Sequence, residues 1–165
     1  MRNIRGDNMR LSISNIGRAS EYDEEMKICL SVTFNGNCNE DMVMVWIERL
    51  SAAINYIEEN ITKELDFAEI AQATHCSSYH FQRMFVNLTT ITLGDYIRRR
   101  KMSLAAADLK KEGMRVIDVA VKYGYNSPTA FNRAFQRVHG IAPSLVRRKD
   151  VLLKSYPPLN CRINY

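Results

Sequence analysis

One stretch of this sequence occurs twice, and that recurrence limits the possible folds more than any other feature. Phe81-x-Arg83-x-Phe85 returns fifty residues later as Phe131-x-Arg133-x-Phe135. The apolar residues around it return as well. Phe81, Met84, Phe85 and Leu88 match Phe131, Ala134, Phe135 and Val138, all at helical spacing. Upstream, Phe67, Ile70 and Ala71 match Val116, Val119 and Ala120 at an offset of forty-nine, so the second intervening turn is one residue longer. Each copy therefore reads as helix, tight turn, helix.

The remaining elements frame these two units. Trp46 opens a helical reading whose stripe is Ile47, Leu50, Ile54, Ile57 and Ile61. Asp66 can cap the next helix, with Glu69 at the capping-box position. The break Thr74-His75-Cys76 precedes Ser77, which can cap the first repeated helix. A long helix is expected from about Leu93 to Leu109, closed by residues 110–113. In the second copy Gly124 stops the leading helix, Ser127 can cap the following one, and Pro128 sits at its first position. The expected class is all-α: two helix-turn-helix subdomains joined by a long linker helix, about seven helices in all. Residues 1–45 lack helical periodicity. Residues 27–34 are rich in β-formers and end at the turn signal Asn35-Gly36. One or two strands without a partner are not stable alone, so this extension is expected to be poorly ordered or partly β. The division is thus 1–45 extension, 46–148 double helix-turn-helix, and 149–165 tail.

A helix-turn-helix places its second helix in the major groove of DNA. The small residues Ala71 and Ala120 let the two helices of each unit cross closely, and the phenylalanine pairs bury one face of the second helix. The opposite face must carry groups that reach base edges. In the first copy these are Ser78, Tyr79, Gln82 and Arg83; in the second they are Thr129, Asn132, Arg133 and Gln136. Arginine pairs with guanine, and glutamine or asparagine with adenine, through two hydrogen bonds each. The linker, at ~1.5 Å per residue over about seventeen residues, makes a rod of roughly 25 Å. Adjacent major grooves on one face of a duplex lie about 34 Å apart, so one chain without dimerising is expected to address two of them. Weaker candidates for phosphate contact are Ser77 and Ser127 at helix starts, Arg98 in the run Arg98-Arg99-Arg100-Lys101, and Arg147 and Arg148 beside Lys149.

Charge ranks nucleic acid first among partners. Residues 1–45 carry five basic and seven acidic side chains, whereas 77–148 carry thirteen against four. Such a surplus attracts a polyanion. No apolar run is long enough to span a bilayer, and no membrane association is expected. Cys29, Cys38, Cys76 and Cys161 are scattered, without the clustering that metal ligands require, so no metal, cofactor or catalytic residue is assigned.

At these residues the chain resembles a known family. The run Ile117-x-Val119-Ala120-x-x-x-Gly124-Tyr125-x-x-x-x-x-Phe131-x-Arg133-x-Phe135-x-x-x-x-Gly140-x-x-Pro143, together with Tyr79-His80-Phe81-Gln82-Arg83-Met84-Phe85, is similar to the DNA-binding domain of the AraC/XylS transcription regulators. The resemblance implies seven helices and base contacts from both recognition helices. By position these fall on Tyr79, Gln82 and Arg83, then on Pro128, Thr129, Asn132 and Arg133; Pro128 lacks a polar side chain to read a base with. It also implies double-stranded DNA and RNA polymerase as partners, in the cytoplasm. His75 stands where the family often has glycine, and Thr92 where it often has proline. After Pro157-Pro158, Leu159, Cys161, Ile163 and Tyr165 alternate with polar residues, a strand pattern. This resembles the entry to a GyrI-like effector-binding domain, which suggests a truncated regulator that binds no effector. The alternative reading is a truncated interaction protein that modulates a full-length regulator without touching DNA.

Overall fold

The computed structural model describes residues 9–15, 28–34, 40–148 and 151–161. Six α-helices form the centre: α1 Glu40–Glu59, α2 Phe67–Gln72, α3 Ser78–Thr89, α4 Leu93–Lys110, α5 Val116–Lys122 and α6 Pro128–His139. A 3-10 turn, Pro143–Leu145, follows. With that turn the count reaches the expected seven. The first helix begins six residues before Trp46, where the sequence alone places its start. Met44 and Val45 lie on α1 yet face solvent, so periodicity marked where α1 meets the core and not where it starts.

Two cores flank the linker helix. Leu50, Ile54 and Ile57 of α1, Ile70 of α2, Phe81 and Phe85 of α3, and Leu93 and Tyr96 from the first half of α4 make one. Met102, Ala105 and Leu109 from the second half of α4, Val119 of α5, Phe131 and Phe135 of α6, and Val146 make the other. The linker is therefore not a bare rod: its first half completes one three-helix packing and its second half opens the next. The four phenylalanines are at most 2% exposed, and burial of each contributes about 1.5–3 kcal/mol. Their rings sit 6.0 Å apart in α3 and 5.7 Å apart in α6, tilted in both cases.

The two turns share one backbone geometry. Cys76 N–H donates to the Ala71 carbonyl (3.3 Å), and Tyr125 N–H to the Ala120 carbonyl (2.9 Å). The preceding residue is left-handed in both, His75 at φ 54° and Gly124 at φ 79°. The extra residue of the second turn is thus Asn126, after the left-handed position and before the Ser127 cap. The helix ends repeat the contrast: Thr90 caps α3 at φ 62° and Gly140 caps α6 at φ 80°. Asp66 caps α2 as expected, accepting from Ala68 N–H at 2.8 Å. Glu69, however, accepts from the Tyr56 hydroxyl (2.9 Å) and ties α2 to α1. At the start of α4, the Thr92 hydroxyl accepts from Asp95 N–H.

The chain flanks are paired. Strand β1, Met9–Asn15, runs antiparallel to β2, Ile28–Phe34, and β2 runs parallel to β3, Asn160–Cys161, in the order β1-β2-β3. The two N-terminal strands pair with each other, and the tail adds a short third strand. Asn35-Gly36, Ile163 and Tyr165 lie outside the described residues.

The tail reaches β3 along the linker. Leu153 and Tyr156 pack on the second core and Leu159 enters the first. Tyr156 N–H donates to the Ser103 hydroxyl (2.9 Å), and Leu159 N–H to the Tyr96 hydroxyl (3.4 Å). Arg100, buried, grips both carboxylate oxygens of Glu58 at 2.6 and 2.8 Å and also donates to the Tyr156 carbonyl.

Candidate nucleic-acid interface

On α6 the helical period sends Phe131, Phe135, Val138 and His139 inward and leaves Thr129, Asn132, Arg133 and Gln136 exposed. On α3, Phe81, Phe85 and Leu88 face inward while Tyr79 and Arg83 are exposed, Tyr79 at 76%. Gln82 is half-buried, and its side-chain amide donates to the Ser78 hydroxyl at 3.1 Å. The bond runs between two residues of the same face and holds the amide in place. Each helix thus combines a rigid aromatic underside with a wet, hydrogen-bonding upper side.

Both helix starts are capped as the sequence indicates. The Ser77 hydroxyl accepts from His80 N–H at 3.3 Å and the Ser127 hydroxyl from Ala130 N–H at 3.4 Å. Other first-turn N–H groups have no helical partner and remain suited to an anion.

The basic residues divide into occupied and open ones. Arg98 pairs with Asp95, Arg99 lies over the Tyr156 ring at 5.3 Å, and Arg100 holds Glu58. Lys101 donates to the carbonyls of Lys63 (3.1 Å) and Tyr123 (3.3 Å), and burial lowers its pKa. The four-residue run is therefore chiefly a set of internal ties. Arg147, expected at a phosphate, donates to the carbonyls of Leu109 (3.1 Å) and Met114 instead. The end of α4 leaves carbonyls without helical partners, and a guanidinium satisfies them. Arg148 is exposed and makes no ion pair among the described residues. Lys149 lies outside the described residues.

Sequence reasoning missed Asp108, which orients the second unit. It is 5% exposed and accepts from Lys111 (2.6 Å), Lys122 (2.6 Å) and the Tyr123 hydroxyl (2.9 Å). Burial pushes its pKa up, but these three donors and the Lys122 charge outweigh that and bring it down to about 2. Burial and the same hydrogen bond push the Tyr123 phenol up. Asp108 so joins α4 to α5, the helix that supports α6. His139 is also buried; its ring nitrogen Nε2 lies 3.1 Å from the Met102 carbonyl. Burial lowers its pKa. An aspartate on a helix with the spacing of a salt bridge gives no hint in the sequence that Lys122 and Tyr123, at the end of the next helix, converge on it as well.

Two further cations that the sequence did not single out, Arg137 on α6 and Lys154 in the tail, line a small cavity against α4. No cluster of potential metal ligands occurs among the described residues. No helix among them is long and apolar enough to cross a membrane.

Comparison with known proteins gives a consistent set of likenesses. A family model described as a helix-turn-helix domain matches residues 70–149. The transcriptional activator AarP of Providencia stuartii is 39% identical over 101 residues, covering 61% of this chain and 75% of that protein. The regulatory protein SoxS of Escherichia coli K12 is 38% identical over 96 residues, covering 58% of this chain and 90% of SoxS. Among solved structures, an AraC-type regulator from Chromobacterium violaceum superposes with a TM-score of 0.57 at 20% identity, covering 61% of this chain and 89% of that one. The DNA-binding domain of AdpA, solved with a target DNA, superposes with a TM-score of 0.56 at 24% identity, over 60% of this chain and 89% of its own. At these identities the two structures establish the shared fold.

Proposed function

The chain belongs to the AraC/XylS family of DNA-binding transcription regulators, and from that premise we propose that α3 and α6 enter two adjacent major grooves of one duplex. The observation that carries this reading is the matched pair of exposed polar faces, each backed by buried phenylalanines. Tyr79, Gln82 and Arg83 read one half-site; Thr129, Asn132, Arg133 and Gln136 read the other. Ser77, Ser127 and Arg148 take backbone phosphates. Arg98 is available to a phosphate only by sharing its guanidinium with Asp95.

A single chain carries both faces, so a monomer suffices. The reading assigns no catalysis, in keeping with relatives that are regulators. RNA polymerase is the second partner, supported by the activator among those relatives.

Selection of bound sequences from a random duplex pool tests the proposal. The expected result is a bipartite motif with half-sites one helical turn apart. Arg133→Ala should relax preference at one base pair, a loss of about 1–3 kcal/mol there. Arg148→Ala should weaken binding to all sequences alike and flatten the salt dependence. An unchanged motif and affinity in Arg133→Ala would remove that residue from the interface.

A further inference from the structure

Between the linker helix, α6 and the tail lies a cavity of about 130 Å³ lined by Asp95, Arg98, Arg99, Arg137, Lys154 and Tyr156. Four cations face one carboxylate, and that carboxylate is engaged by Arg98. Arg99 stacks on Tyr156. Arg137 and Lys154 have no acidic partner among the described residues. Like charges drawn together without neutralisation repel, so this arrangement costs free energy as it stands. The three supports come from separate parts of the chain, so the convergence is tertiary and not a run along one helix. The Lys154 charge also helps keep the buried His139 neutral, which places its field on the inner side of α6.

We propose that this cavity is an anion site that holds one phosphate group. The size agrees. Water takes about 30 Å³ each in the liquid, so the space holds roughly four waters or one tetrahedral oxyanion. A nucleoside or a drug-sized ligand needs about 300 Å³ or more. The chemistry agrees too: guanidinium forks suit the oxygens of phosphate, and an ammonium adds a point charge. Arg137 follows Arg133 by one helical turn, at the margin of the polar face of α6. The phosphate therefore has two possible sources, the backbone of a bound duplex or a free phosphorylated molecule. The first source rests on the groove-reading proposal above; the second does not.

The test uses the full chain and inorganic phosphate. Calorimetry in chloride buffer at constant ionic strength should show one saturable site for phosphate. Arg137→Gln and Lys154→Gln, both exposed and outside the cores, should each weaken it at least tenfold without lowering the melting temperature in phosphate-free buffer. A second arm measures duplex affinity against salt in phosphate-free buffer. A slope reduced by about one in Arg137→Gln identifies a backbone phosphate as the occupant. An unchanged slope, with phosphate binding lost, identifies a free anion. If neither variant alters phosphate binding or the salt slope, the site is overturned. Loss of base preference in Arg133→Ala is independent of all these outcomes, so failure of this site and failure of the groove-reading proposal are separable.

Discussion

His75 and Thr90 hold left-handed backbone at the two places where the second unit has Gly124 and Gly140. For residues with a Cβ this conformation costs about 1–2 kcal/mol, and a β-branched residue such as Thr90 is the more strained of the two. The first helix-turn-helix thus carries strain at both ends of α3 that the second avoids. His75→Gly and Thr90→Gly should each raise the urea-unfolding free energy by about 0.5–1 kcal/mol, the strain relief less the extra chain entropy of glycine. Gly124→Ala should lower it by about 1 kcal/mol through backbone strain alone, because a Cβ there meets only Lys101 Nζ at 3.6 Å. A null effect for both glycine replacements would show that the first turn is relaxed in solution. These positions are partly legible beforehand. A glycine after a helix announces a left-handed cap, whereas a histidine in that role shows itself only through the alignment of the two repeats. Arginine partners are not legible at all: Arg100 finds Glu58 forty-two positions upstream and Tyr156 fifty-six downstream, and nothing local marks either.

The short helices depend on their neighbours. Helix α5 has seven residues, too few to persist alone, and the side chain of its Arg115 cap pairs with Asp118 but satisfies no first-turn N–H. Asp108 compensates from α4 by fixing Lys122 and Tyr123. Because its folded pKa is depressed from 3.8 to about 2, it stabilises the fold above pH ~4 and that contribution is lost as pH falls toward 2. Asp108→Asn should cost about 2 kcal/mol at neutral pH and flatten the stability profile in that window. His139 acts at milder acidity. Its folded pKa lies below 6.5, so its stabilising contribution is complete above that pH and declines below it. His139→Gln should remove the decline just below pH 6.5, as followed by thermal melting across pH; persistence of that slope would place its origin elsewhere. At this scale the sequence is informative wherever the period is local. The linker ends within a residue of expectation, and the capping serines act as read. The strands are different. Residues 28–34 look β-prone in isolation; their longer partner, Met9–Asn15, is near in sequence, whereas the third strand, Asn160–Cys161, lies beyond the whole helical module.

At the scale of the molecule, one polar knot ties the first unit, the linker and the tail. Removing one member of a buried pair leaves the other charge uncompensated, which costs about 3 kcal/mol or more, against 0–1 for a surface pair. Glu58→Ala should therefore be strongly destabilising, and much of the loss should be recovered in Glu58→Ala with Arg100→Met. Additive losses in the double variant would deny the coupling. The knot also holds the linker, whose eighteen residues span about 27 Å at 1.5 Å per residue. Successive grooves on one face lie about 34 Å apart. A duplex held by both units should then bend toward the protein, detectable as an anomalous gel shift when the site is moved along a fragment. A straight duplex bound at full affinity would mean that only one unit engages. The pairing of β2 with β3 has a consequence in time. Cys29 leaves the ribosome about 130 residues ahead of its partner Asn160, which at roughly 5–20 residues per second is a delay on the order of ten seconds. The helical units, with their local contacts, have time to collapse first. Until Asn160 arrives, β1 and β2 present an open edge on the nascent chain, which is when a chaperone would have most to do.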